Sequence, residues 1–268
     1  MTRQYLSARL KAGETVYAAW VGSPSLAMAE AVAQASWDAV VIDMQHGAVG
    51  VESMIDMVGG VVRAGKPAMV RMPMSDEGMI GRILDAGAEA VICPMVNTGQ
   101  DASRLGRSAK YPPLGFRSWG PQRALQVHGL DREDYLAQAN GFCLAWAMVE
   151  TETAIANIDS ILSGRAIDGV FVGPYDLCVS LTRGEALDPS HPVVMEALDL
   201  IVRKARAHRV VPGIYASTPD HARTYSAMGF KLIAIGNELT YVRIGGELLL
   251  EAAREAEVPA DEAVAAQR

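Results

Sequence analysis

The chain has 268 residues, half of them apolar, and a formal net charge of −7. That size suits one large α/β barrel or two modest domains, with enough apolar residues for a full core. Lysine and arginine are scattered without a run, and no apolar stretch is long enough to cross a bilayer, so neither a nucleic-acid partner nor a membrane is expected. The first seven residues contain no apolar core, so no signal peptide is expected. Cys93, Cys143 and Cys178 read as small buried hydrophobes in a reducing, cytoplasmic setting.

In chain order, a helix is expected around residues 5–11 and a first strand over 15–21. Ser23-Pro24 opens a helix, with serine as cap and proline at the first helical position, where a missing N–H costs nothing. Residues 37–43 read as a second strand, 51–64 as a helix closed by Gly65, and 67–71 as a third strand. Ser75 caps the next helix, which ends at Asp85-Ala86-Gly87. Residues 90–94 make a fourth strand, and Thr98 caps the helix after it. A polar and aromatic insert then runs from Tyr111 to about Asp131, longer than a connection needs, which marks it as a functional loop. A short helix follows at 132–138. Strands five to eight fall at 142–149, 169–172, 210–216 and 231–235. Between them, Thr151 caps a helix reaching Leu162, a loop and a helix over 192–208 follow strand six, and Thr218-Pro219 opens another. A long helix over 238–256 closes the chain, and the tail after Pro259 is expected to fray.

Strands that alternate with helices predict a parallel sheet. Eight such units in about 250 residues is the usual size of a closed (β/α)8 TIM barrel, here a single domain over 1–268. A doubly wound open sheet is the competitor, but no Gly-x-Gly-x-x-Gly follows the first strand.

Two runs carry the chemistry. Cys143 to Glu150 and Gly169 to Asp176 are apolar stretches that each stop on a carboxylate. Buried parallel strands read as continuous apolar runs. An acid just past one cannot be core filler, and two converging acids repel unless a cation lies between them. In a barrel the active site lies at the C-terminal ends of the strands. Asp43 and His46, Arg71, Cys93, Glu150, Tyr175 and Asp176, and Glu238 all fall there. Taken singly, Asp43 could be a helix cap, Arg71 an ion-pair partner of Asp43 or Glu150, and Glu150 the charged first turn of a helix. Their convergence on one rim is the signal. Asp85 sits at a helix end, where an acid opposes the helix dipole and calls for a polar partner, solvation being the alternative.

Two carboxylates without a Cys or His cluster favour a hard cation, Mg2+ or Mn2+, over zinc. An open coordination sphere suits a chelating 2-oxo acid, whose C3–H becomes acidic when the keto oxygen is polarised. Arg71 would stabilise the developing charge, and His46, held by Asp43, would move the proton. No strand ends on lysine, which argues against Schiff-base chemistry.

At these residues the sequence resembles the HpcH/HpaI aldolase family of class II, metal-dependent pyruvate aldolases. The matching segments are VVIDMQHG, VRMP, LDAGAEAVICPMVNT, YPPLGFRS, MVETETAIANID and GVFVGPYDL, spanning about Val40 to Ser180. The resemblance implies a (β/α)8 barrel whose last helix swaps onto a neighbouring subunit, usually in a hexamer built as a trimer of dimers. It implies a divalent cation (Mg2+ or Mn2+, with Co2+ an option) on Glu150 and Asp176, Arg71 on the substrate keto oxygen, His46 in acid–base work, and Asp43 and Asp85 as supporting acids. It also implies that Gly173, Pro174 and Tyr175 hold the substrate carboxylate and that the insert near Arg117 reaches an active site.

Met148 departs from the pattern. Many members carry Gln two residues before the metal-binding Glu, so a polar contact to substrate is replaced here by a thioether. The insert also reads Phe116-Arg117-Ser118-Trp119 where Arg-Gly is common. The expected reaction joins and splits a 2-oxo acid, pyruvate or hydroxypyruvate, and an aldehyde. An acyl-CoA lyase of the related citrate-lyase-like group is the nearest alternative, and a catalytically dead barrel used for binding is another.

Overall fold

A computed structural model describes residues 4–74, 76–163 and 167–255. Eight parallel strands close on themselves in the order β1 to β8, with β1 paired to β8. They are β1 (Val16–Val21), β2 (Ala39–Asp43), β3 (Ala68–Arg71), β4 (Ala90–Cys93), β5 (Leu144–Val149), β6 (Gly169–Val172), β7 (Val211–Ala216) and β8 (Leu232–Ile235). Each lies where its apolar run predicts it, shortened by a residue or two at some ends. The competing open sheet is excluded by the β1–β8 ladder.

The continuous apolar runs have a simple cause: both faces of every strand are buried. Along β1, Val16, Ala18 and Trp20 point into the barrel, while Ala19 and Val21 face the helices outside. Helix α1 (Leu6–Lys11) drives Leu6 and Leu10 into the interior from the N-terminal end of the strands and plugs it. Trp146 fills the middle. A Cβ at Gly169 or Gly213 would stand 2.3 or 2.9 Å from its ring, so β6 and β7 must carry glycine opposite it.

The outer layer follows the expected alternation, with local corrections. Helix α2 (Leu26–Gln34) is capped by Ser25, whose side chain accepts the Met28 N–H. Pro24 therefore precedes the cap, and Ser23, the expected cap, is used elsewhere. Helix α3 (Val51–Arg63) leads to β3 and α4 (Gly78–Asp85) to β4. Ser75, the expected cap of α4, and the tail after Pro259 lie outside the described residues. Thr98 caps α5 (Gly99–Ala109) through a full capping box with Asp101.

The insert is not all loop. It contains α6 (Gln122–His128), followed by α7 (Arg132–Phe142), which runs four residues past its expected end. The helix expected after Thr151 is two, α8 (Glu152–Ala156) and α9 (Ile158–Leu162), broken at Asn157. A helix not expected from the sequence, α10 (Pro174–Leu181), starts directly after β6 with proline at its first position. Helices α11 (Pro192–His208), α12 (Pro219–Met228) and α13 (Glu238–Glu255) complete the layer. Among the described residues no helix is long and apolar enough to cross a membrane.

Candidate active site

Asp43 and Arg71 end β2 and β3 and are register partners. Their side chains close a buried bidentate pair, Arg71 Nε to Asp43 Oδ1 at 2.8 Å and Nη2 to Oδ2 at 2.6 Å. A two-point fork fixes orientation as well as charge. The Trp20 indole N–H donates to Oδ2 at 3.3 Å, and the guanidinium stacks over the Trp20 ring at 4.8 Å. Nη1 is the guanidinium nitrogen that Asp43 does not engage. Burial would raise the Asp43 carboxyl, but Arg71 and the N–H groups of Gln45 and His46 outweigh it and hold it below the usual carboxylate range.

Those two N–H groups donate to Asp43 Oδ1 at 3.0 and 3.3 Å. Asp43 thus holds the main chain of the His46 loop, and no bond from Asp43 to the imidazole is seen. A Cβ on Gly47 would stand 2.3 Å from Asp43 O and 2.6 Å from Gly22 O, so only glycine lets this loop cross so close to its neighbour.

Across the rim, Glu150 follows β5 and is buried, while Asp176 lies in the first turn of α10 and is exposed. Both reach one point. A Cβ placed on Gly173 would lie 2.8 Å from Glu150 Oε2 and 3.1 Å from Asp176 Oδ2, so the two oxygens are within about 6 Å of each other. Any side chain at 173 would fill the gap between them. Glu150 Oε1 accepts the Met95 N–H at 2.7 Å. Met95 has φ +56°, in the left-handed region that a non-glycine residue rarely adopts. Asn97 braces that turn: its Nδ2 donates to Met95 O at 3.1 Å and its Oδ1 accepts the Thr151 hydroxyl.

Burial pushes the Glu150 carboxyl up to about 7, and the charge of Asp176 adds to the rise. The Met95 N–H and Arg71 only partly offset it. Two oxygen donors, one destabilised as an anion, are what a hard dication would relieve. Among the described residues no third His, Cys, Asp or Glu joins them, so such an ion would keep positions for water and ligand. Burial also pushes the Cys93 thiol up to about 12 and raises Cys143, which keeps both from being thiolate nucleophiles at neutral pH.

A cavity of about 400 Å³ opens on this rim. Asp43, His46, Arg71, Met148, Gly173, Pro174, Tyr175 and Asp176 all line it. Trp20, Ser23, Tyr215, Asn237 and Glu238 line it too, and none of them was expected among the site residues. Glu238 stands at the end of β8 on the same rim, and that position was the signal available.

Two expected site residues are elsewhere. Asp85 ends α4, which runs back toward the start of β4, and Arg117 reaches Cys143, just ahead of β5. Arg117 Nη2 donates to Asp85 Oδ1 at 2.6 Å, so Asp85 has the polar partner its helix-end position calls for. This pair sits at the N-terminal end of the barrel, about 20 Å from Glu150 at 3.3 Å per strand residue. Within one chain they do not reach the cavity.

The family model for HpcH/HpaI aldolase/citrate lyase matches residues 17–243. The chain is 36% identical over 242 residues to the hydroxypyruvate/pyruvate aldolase of Rhizorhabdus wittichii, covering 90% of this chain and 95% of that one. It is 32% identical over 228 residues to the 2-keto-3-deoxy-L-rhamnonate aldolase of Escherichia coli K12, covering 85% of each. A crystal structure of an HpcH/HpaI aldolase/citrate lyase family protein from Burkholderia cenocepacia superposes with a TM-score of 0.84 at 29% identity, over 93% of this chain and 98% of that one. A family match across the whole barrel, with two aldolases above 30% identity over at least 85% of each chain, shows that the chain belongs to the HpcH/HpaI aldolase/citrate lyase family and is a carbon–carbon lyase, an aldolase.

Proposed function

We propose that this aldolase joins and splits pyruvate or hydroxypyruvate and an aldehyde, with Mg2+ or Mn2+ on Glu150 and Asp176 and Co2+ able to replace them. The observation that carries the reading is the convergence of those two carboxylates on the gap left by Gly173, beside the Asp43–Arg71 pair.

The cation, when bound, polarises the keto oxygen and so lowers the pKa of the substrate C3–H. Arg71 aims its remaining guanidinium nitrogen at the oxygen where negative charge builds, and Asp43 keeps that nitrogen in place. The N-terminal turn of α10, Gly173-Pro174-Tyr175, receives the substrate carboxylate, with the helix dipole in its favour. His46, exposed on a loop anchored through its own N–H, carries the proton, directly or through water. In the condensing direction a C3 proton leaves, C3 attacks the aldehyde carbon, and the aldehyde oxygen takes up a proton; cleavage reverses each step. Met148 presents a thioether to the donor where a polar group is common in the family.

An acyl-CoA lyase fits less well, because Arg71 is the only lysine or arginine among the described residues lining the cavity and it is paired with Asp43. The deciding assay is calorimetric Mn2+ titration with and without pyruvate, followed by turnover with pyruvate and glycolaldehyde. Full activity in excess EDTA would end this account.

The assembly we propose is a hexamer, a trimer of dimers with α13 exchanged between subunits. Along α13, Leu239, Val242, Leu248, Leu249 and Leu250 are all more than half exposed, an apolar row that calls for a partner. Asp85 and Arg117 would join an active site only across such a subunit boundary. Light scattering of the intact protein tests the state, and a monomer would sink it. Three unpaired thiols suit a cytoplasmic protein.

A further inference from the structure

The first turn of α10 has no cap of its own. Gly173 stands at the cap position without a side chain, and Pro174 after it has no N–H. The first N–H groups the helix can offer a ligand are therefore those of Tyr175 and Asp176. Helix ends fray, so a turn that must keep two N–H groups and the Asp176 carboxylate in fixed places needs an anchor from outside the helix.

The Tyr175 side chain supplies one. Tyr175 lines the cavity, and its hydroxyl donates to Ser217 Oγ at 2.8 Å, just past the end of β7. Ser217 Oγ lies 3.0 Å from Nδ1 of His221, in the first turn of α12. His221 Nε2 lies 3.4 Å from Ser190 Oγ at the surface. The outer members are fixed in turn: the α12 cap Thr218 accepts the His221 N–H at 3.1 Å, and the Ser190 N–H donates to Asp188 Oδ1 at 2.8 Å.

Each hydroxyl has one hydrogen, which sets the direction of the row. Tyr175 gives its hydrogen to Ser217, Ser217 gives its own to Nδ1, and a neutral imidazole carries its hydrogen on Nε2, toward Ser190. Ser217 and His221 are not in the cavity wall, and they reach it only through Tyr175. All four side chains belong to one subunit, so the row is complete without a neighbour.

We propose that Ser217 and His221 are positioning residues for the 2-oxo acid: through the Tyr175 phenol they hold the first turn of α10 where it meets the substrate carboxylate. This rests on the aldolase reading above and adds two residues to the same site. The carboxylate takes no part in bond making, so its contacts are equally strong before and during the reaction. Their loss weakens binding and spares the rate at saturation.

Calorimetry of pyruvate binding to the Mn2+-loaded protein, with exchange of the pyruvate methyl protons in D2O, reads the donor half without any aldehyde. Tyr175→Phe, Ser217→Ala and His221→Ala are each expected to raise Kd and KM for pyruvate about fivefold, the worth of one hydrogen bond, with saturated exchange within about twofold of wild type. Adding His221→Ala to Tyr175→Phe is expected to cost nothing more, because His221 acts only through that phenol. His221→Asn puts an amide oxygen near the place of Nδ1 and is expected to restore the affinity that His221→Ala loses. If wild type neither binds pyruvate nor exchanges its protons, the aldolase reading falls and this inference with it. If wild type does both, the positioning role is overturned, and the aldolase reading stands, on any of four results: single variants that bind pyruvate as wild type does, saturated exchange that falls as far as affinity, losses that add in the double variant, or a His221→Asn protein as weak as His221→Ala.

Discussion

Each end of the barrel carries an arginine–aspartate pair, and the two are built for different work. At the C-terminal rim Arg71 and Asp43 lie on a cavity wall, and Asp43 takes two of the three guanidinium nitrogens. At the N-terminal rim Arg117 is closed in by Tyr111, at 4.7 Å over the ring, by Tyr135 and by the Cys143 sulfur, and its Nε is buried without a partner. In the function proposed above, the first pair would aim a cation at the substrate. The second ties the insert to the end of α4 and to the start of β5. The same pairing lines a cavity at one rim and acts as a rivet at the other, according to what closes over it.

The largest effect is expected from Glu150→Ala, which removes half of the oxygen pair. Mn2+ binding should disappear by calorimetry and turnover should fall to background; retained binding would place the ion elsewhere. Arg117→Ala should cost about 3 kcal/mol of stability by urea denaturation, the lower end for breaking a buried ion pair, because Asp85 is partly solvated. It should leave Mn2+ affinity unchanged, and a lost metal site would erase the contrast between the two rims. Arg71→Ala should keep Mn2+ binding but lower kcat by about a hundredfold, as loss of one oxyanion donor does.

Asn97→Ala, which releases the strained Met95 turn behind Glu150, should weaken Mn2+ binding by about tenfold, the low end for an outer support of a metal ligand. Met95→Gly in the same protein should restore it, since glycine adopts φ +56° without a brace. The smallest effect concerns pH. A Glu150 carboxyl near 7 in the fold and near 4.5 unfolded means that the folded, metal-free protein holds the extra proton. Its contribution to stability is present below about 4.5 and is lost as pH rises through about 7. Metal-free Glu150→Gln should accordingly gain in melting temperature relative to wild type across that window, and a constant difference would contradict it.

The eight strands were legible because burial on both faces leaves an unbroken apolar run, a pattern that needs no partner to be read. Helix α10 was not, because Gly173-Pro174 reads as a turn, although proline is also a good first helical residue. Helix α6 was hidden in a tract whose composition is that of a loop. Ser23 looked like the cap of α2, yet its hydroxyl goes to Glu238, far along the chain, and Ser25 takes the cap. The roles of Glu238 and of the Met95 N–H were out of reach, since both depend on which backbone groups arrive opposite them.

By itself the sequence determined the barrel, the family and the three acids and one arginine at the ends of strands two, three, five and six, because strand periodicity and position along a strand are local properties. Only the tertiary structure decided which charges meet. Arg71 chose Asp43 over Glu150, and Arg117 with Asp85 went to the opposite rim. Glu238 turned one oxygen to a clamp on Gly22 and Ser23, far back along the chain. Pairing of charges is settled by distance and desolvation across elements that touch after the barrel closes, and neither quantity is written in any one stretch of chain.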